Sequence, residues 1–143
     1  MNVVVKESYF WLQVKAGLDD DETHLCRIEN TAGTGISDVN ACCRGQEVWV
    51  ELKVFHGRRL YFRNSQKSWI VRRSKVGGRI FVLTRNENTL AMYCAADVMK
   101  CEAIAGNDGK SFSVDVDELP PPVYVCRKPF KWSELHEKLF GSC

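Results

Sequence analysis

Between Glu51 and Glu87 the chain has no acidic residue at all. Into that gap fall ten of its twenty lysines and arginines: Lys53, Arg58, Arg59, Arg63, Lys67, Arg72, Arg73, Lys75, Arg79 and Arg85. A formal net charge of +2 over 143 residues therefore hides a segment of one sign. A merely solvated surface intersperses both signs, whereas a phosphate backbone calls for a positive surface and binds it by releasing counterions. Other absences narrow the class. No apolar run reaches the roughly 20 residues of a membrane-spanning helix, and Met1-Asn2-Val3-Val4-Val5 lacks the charged start and long apolar core of a secretory leader. Seven cysteines, an odd number without a C-x-x-C pair, argue against a disulfide framework and a zinc ribbon. A reducing cytosol is the expected location. Asp19-Asp20-Asp21-Glu22 lacks the spacing and glycine of an EF-hand loop and reads as a solvated turn. There is no internal repeat or low-complexity tract, and the length suits one domain over residues 1–143.

What is present centres on residues 37–53. Val48, Val50, Leu52 and Val54 alternate with Trp49, Glu51 and Lys53, the pattern of a half-buried strand. Arg44-Gly45 suits a two-residue hairpin turn, because glycine tolerates positive φ. If Cys43 faces Gln46 across that turn, Asp38 falls opposite Glu51. Directly opposed residues share a sheet face with Cβ atoms roughly 4.5–5.5 Å apart, and Lys53, two residues on, shares it too. Two carboxylates forced together repel, and a divalent cation relieves that repulsion. Mg²⁺ is typically held by one or two carboxylates, with water and phosphate completing its shell.

Around this hairpin, residues 6–18 read as an amphipathic helix ended by Gly17, with Tyr9 or Phe10, Leu12, Gln13 and Ala16 as its inner stripe. Glu7 in its first turn complements the helix dipole. His24 to Asn30 alternates like a first strand, which would set Glu29 beside the Asp38 strand. Asn64 or Ser65 caps a helix from Gln66 to Val76, closed by Gly77-Gly78, with Gln66, Trp69, Ile70 and Arg73 on one face. Residues 79–85 and 90–94 read as strands joined by a turn at 86–88, and residues 95–105 as a short helix. Pro120-Pro121-Pro122 breaks structure and runs extended. Trp132 to Phe140 reads as a terminal helix that covers the sheet or meets a second chain.

Gly35-Ile36-Ser37-Asp38, a hairpin-length gap, Glu51-Leu52-Lys53 and then Gln66 on a following helix resemble the PD-(D/E)XK nuclease superfamily. The layout is most similar to the virus-type replication-repair nucleases (VRR-NUC) and to phage and archaeal Holliday-junction resolvases. The resemblance covers about residues 5–94, leaving about 95–143 as a C-terminal extension. Ser37 stands where that family usually has proline. The resemblance implies an α/β, restriction-endonuclease-like core: a central mixed sheet with an antiparallel meander, flanked by helices.

It further implies a DNA endonuclease dependent on Mg²⁺ or Mn²⁺, structure-selective for junctions or flaps, active in replication, recombination or repair in a bacterial or phage-infected cell. A restriction- or repair-type nuclease on duplex DNA and an inactive DNA-binding module are the alternatives. By this likeness Asp38, Glu51 and the Leu52 carbonyl would hold the metal, Lys53 would act on the nucleophile and phosphate, and Gln66 would sit beside them. Glu7 is the first-helix glutamate that approaches the metal in many relatives, and Glu29, in an Arg-Ile-Glu run like that of phage relatives, is the alternative. DNA contacts fall to Arg58, Arg59, Arg63, Lys67, Arg72 and Arg73. The partner is DNA, with a homodimer possible and no membrane.

Overall fold

The computed structural model describes residues 5–28 and 35–141. Helix α1 (Glu7–Leu18) leads into strands β1 (Thr23–Arg27), β2 (Val39–Cys43) and β3 (Gln46–Val54), which form the expected antiparallel meander. Strand β4 (Arg59–Arg63) and helix α2 (Asn64–Lys75) follow, then β5 (Ile80–Arg85), β6 (Thr89–Cys94) and the short helix α3 (Ala95–Val98). The remainder is β7 (Ile104–Ala105), β8 (Ser111–Asp115), a 3₁₀ turn at Val116–Glu118, β9 (Tyr124–Arg127) and α4 (Trp132–Phe140). The main sheet has the order β1-β2-β3-β5-β6-β9, and a second sheet the order β4-β8-β7. Strands β3 and β5 are parallel and all other pairs antiparallel, so the main sheet is mixed, as expected.

The central hairpin forms as its sequence dictates. Arg44 and Gly45 both take positive φ, 50° and 80°, the demand of a tight turn matched to strand twist. Cys43 then pairs with Gln46, and the register runs on to Val39 opposite Val50. One further step brings Asp38 to Glu51.

Strand β3 is not half-buried, however, because both of its faces are covered. On one face Val48, Val50, Leu52 and Val54 pack with Phe10 and Val14 of α1 and Leu135 and Leu139 of α4. On the other, Leu60 and Phe62 of β4, Ile70 of α2 and Phe112 of β8 build a second core. Glu51 lies on that second face and is 1% exposed. The alternation in β3 is real, but β4 leaves the main sheet and roofs the polar side.

Several local expectations are corrected. Helix α1 buries Phe10, Trp11, Val14 and Leu18, while Tyr9 and Leu12 stay exposed. It continues through Gly17, whose missing side chain admits the Trp132 indole. Helix α2 starts at Asn64, so neither Asn64 nor Ser65 caps it. The Arg63 N–H at its entrance instead donates to Gln66 Oε1 at 2.8 Å. The helix expected over 95–105 stops after Val98, where Lys100 and Cys101 close short turns onto the Asp97 and Val98 carbonyls. Residues 104–105 then pair as β7 with β8. The terminal helix covers the sheet: Leu135, Leu139 and Phe140 are buried, and Arg79 Nη2 donates to the Leu139 carbonyl at 2.6 Å.

The α1–α4 contact is testable at Gly17. A Cβ there would lie 2.3 Å from Trp132 Cδ2, part of the rigid ring. Alanine gains about 1 kcal/mol in helix propensity, against the roughly 1–3 kcal/mol cost of overpacking. Gly17→Ala is expected to lower the urea midpoint of unfolding. A raised midpoint would contradict this packing.

Candidate active site

Strand pairing between β2 and β3 ends at Val39–Val50, and the Asp38 side chain takes over where it stops. Asp38 Oδ2 accepts a hydrogen bond from the Leu52 N–H at 2.9 Å, while the Asp38 carbonyl accepts from Ile28 N–H at 2.7 Å. Its carboxylate is therefore fixed against the β3 backbone between Glu51 and Lys53.

Glu51 and Lys53 meet Gln66 from the first turn of α2. Gln66 Nε2 donates to Glu51 Oε1 at 2.6 Å, and Lys53 Nζ donates to Gln66 Oε1 at 3.3 Å. Lys53 Nζ is also 3.6 Å from Glu51 Oε1 and lies 4.8 Å from the centroid of Phe62. The amide orientation of Gln66 follows from this network, since its oxygen meets two donors and its nitrogen a carboxylate. Glu51 Oε2 and Ser37 Oγ are buried without a hydrogen-bond partner.

Glu7, Asp38, Lys53, Gln66, Tyr61 and Arg63 line one cleft of about 680 Å³. Burial raises the Glu7 carboxyl above its ordinary value, the Lys53 charge opposes that, and the Asp38 charge adds to it. Glu7 thus faces the site from the start of α1. Glu29, the alternative, lies outside the described residues. Gly35 holds the entering loop against α2: its φ is +75°, and a Cβ would fall 2.0 Å from the Ser65 carbonyl oxygen.

Burial is the largest cause of a Glu51 carboxyl raised to about 8; the Asp38 charge raises it further, and Lys53 pulls it back. A buried carboxyl with one oxygen unsatisfied is suited to ligating a cation. The donor set is hard oxygen, which suits Mg²⁺ or Mn²⁺. Among the described residues no three His, Cys, Asp or Glu side chains gather as a ready-made cage. An ion here would rely on Asp38 and Glu51, with the Leu52 carbonyl between them in sequence, and on oxygens of water and phosphate, the usual manner of Mg²⁺.

The basic residues separate once folded. Arg63 lines the cleft. Lys67 and Arg72 lie along the exposed side of α2 with Lys75, and Arg73 stacks between Trp49 and Trp69, 5.5 and 5.0 Å from their centroids. Arg59 Nη1 donates to Ser113 Oγ at 3.1 Å. Arg58 differs, because it pairs with Asp117 at 2.6 Å and Asp115 at 3.6 Å. Arg85 is buried, bonded to Gln13 and covered by Tyr9 and Phe130. Sequence reasoning missed Phe62 and Tyr61. The alternation of 59–63, apolar at 60 and 62, was the available signal.

The raised Glu51 carboxyl has a definite sign. The folded state binds this proton more tightly than the unfolded chain, so its contribution to stability is full at low pH. That contribution is lost as pH rises from the ordinary 4.5 to about 8. In EDTA, stability from urea unfolding is expected to decline across that window, and Glu51→Gln to flatten the decline. An unchanged slope in the variant would place the titration elsewhere.

No family model matches the chain, and a search of curated proteins finds no match. Among solved structures the chain is similar to the Holliday junction resolvase Hjc of Archaeoglobus fulgidus, with a TM-score of 0.60 and 17% identity over 95% of this chain and 99% of that one. The likeness is one of fold, and the expected restriction-endonuclease-like α/β architecture is the one found.

Proposed function

We propose that the chain is a metal-dependent DNA endonuclease of the PD-(D/E)XK type, acting on branched DNA such as junctions or flaps. The observation that carries this reading is that Asp38 and Lys53 border one cleft, with the buried Glu51 against Lys53 and one of its carboxylate oxygens left unsatisfied. Branched DNA is favoured over plain duplex because the neighbour in fold is described as a Holliday junction resolvase.

A bound Mg²⁺ or Mn²⁺ supplies Lewis acidity, lowering the pKa of a water and neutralising charge on the phosphate. The chain's own residues do the rest. Asp38 and Glu51 would hold the ion, with Glu7 lining the same cleft as Asp38. Lys53, steadied by Gln66 and Glu51, directs its N–H groups at the phosphate oxygens and the attacking oxygen as negative charge builds. Its compact charge suits that place better than a planar guanidinium. Arg63 at the cleft, with Arg59, Lys67, Arg72 and Arg73 beyond it, holds the flanking phosphates. Arg58 contributes less, since two carboxylates already face it.

Two chains together would offer two such clefts to one junction, a stoichiometry that sedimentation with and without DNA measures. The described cysteines are free, which accords with work in a reducing compartment. No helix among the described residues is long and apolar enough to cross a membrane.

Labelled four-way junction, flap, duplex and single-strand substrates test the reading. Cleavage is expected with Mg²⁺ or Mn²⁺ and not with EDTA. Asp38→Asn and Lys53→Ala are expected to cut at least about 100-fold more slowly while still binding the junction. Cleavage by either variant at the native rate would remove the assigned site. Tight binding with no cleavage by the native chain would make it a binding module.

A further inference from the structure

The outer face of the second sheet carries two exposed apolar side chains, Tyr61 and Ile104, that the chemistry above does not use. Along β4, Leu60 and Phe62 point inward and are 0% and 1% exposed, so Arg59, Tyr61 and Arg63 point out. Tyr61 is 50% exposed. Across the sheet, Tyr61 pairs with Ser113 of β8, and Ser113 with Ile104 of β7. An aromatic ring, a small serine and an exposed isoleucine thus form one row, with a dip at the serine. That dip is a groove of about 310 Å³, with Arg59 also on its wall.

Three features of this groove point to one occupant. Its walls are a ring and an aliphatic side chain, which suit the flat face of a nucleobase. Arg59 bonds a neutral hydroxyl there and Arg63 leads into the cleft, so the charge matches a phosphate backbone. Tyr61 and Ser111 line both the groove and the cleft, so one strand can occupy both. The Tyr61 ring is braced edge-on by His56, with centroids 5.9 Å apart and planes at 79°. His56 is itself fixed by backbone bonds to Arg59 in both directions. A peptide adding at the β7 edge, beside the groove, suits this face less, since that strand offers only two residues of ladder.

We infer that this groove seats an unpaired nucleotide of the DNA strand passing through the cleft, stacked on Tyr61 between Arg59 and Arg63. The inference rests on the nuclease reading and adds the element that distinguishes branched from fully paired DNA. Duplex DNA keeps its bases stacked on one another and has none to offer Tyr61. A frayed branch point or a flap does.

The test is binding by fluorescence anisotropy in EDTA, with a blunt duplex, the same duplex bearing a single-stranded flap, and that flap made abasic. Tyr61→Ala is expected to lose roughly tenfold on the flap, the scale of one base–aromatic stack, and less than twofold on the blunt duplex. Tyr61→Phe should bind the flap like the native chain. Abasic sites should cost the native chain as much as Tyr61→Ala does, and the two losses should not add. Equal loss on flap and blunt duplex, additive losses, or no loss at all would overturn the inference. Cleavage with Mg²⁺ is followed in parallel. Native cleavage without any Tyr61 effect removes this inference alone, whereas Tyr61-dependent flap binding without cleavage removes the nuclease reading alone.

Discussion

The side-chain amide of Gln66 joins three parts of the molecule that the rest of the site depends on. It satisfies the Arg63 N–H at the entrance to α2, receives the Lys53 ammonium, and donates to the buried carboxylate of Glu51. One residue therefore starts a helix and sets the geometry of the cleft. This arrangement leaves Glu51 Oε2 without a partner. A buried polar atom in that condition costs about 1–3 kcal/mol, and such atoms in native proteins call for an explanation. A cation shared with Asp38 would remove that cost and restore the charge that burial suppresses. Site formation and ion binding are then two sides of the same balance.

That balance requires Glu51 to be dry, and the second sheet makes it so. After β3 the chain leaves the main sheet, and Leu60, Phe62 and Phe112 close over the face that carries Glu51 and Lys53. The roof is incomplete where Asp38 and Lys53 border the cleft. Phe62 is the hinge between these roles, since it belongs to the second core and also lies beneath the Lys53 ammonium. An ammonium over an aromatic face is attracted by the ring quadrupole, which holds Lys53 toward Glu51 and away from bulk water.

How much of this was legible follows from the range of the interactions involved. The hairpin could be read because two local rules agree: Arg44 and Gly45 accept positive φ, and alternation then sets the register. The pairing of Asp38 with Glu51 is a consequence of those two facts. Helix α1 was misread because its residues 9–12 are all apolar, so periodicity alone could not choose a face; packing against β3 and α4 chose Phe10, Trp11 and Val14. The second sheet was not visible, since β4 pairs with β8 some fifty residues away and β7 has only two residues. Strand β9 and helix α4 likewise complete the main sheet and its core from the far end of the chain. The acid-free stretch overstated its own charge for the same reason: Asp115 and Asp117, remote in sequence, come back to Arg58.

The redistribution of charge that folding brings about bears on the shape of the ligand. Lys67, Arg72 and Lys75 follow the outside of α2 along a shallow groove that also exposes Val71. Arg59 and Arg63 instead follow the outer face of β4, beside Tyr61. Arg63 ends β4 and Asn64 begins α2, so the two tracks diverge from a single point, and that point borders the cleft. On the proposed nuclease reading, a ligand whose strands part beside the cleft would meet both tracks, with paired DNA along α2 and a separated strand on the sheet. Phosphate contacts carry little sequence information, so a surface of this form selects by the course of the backbone.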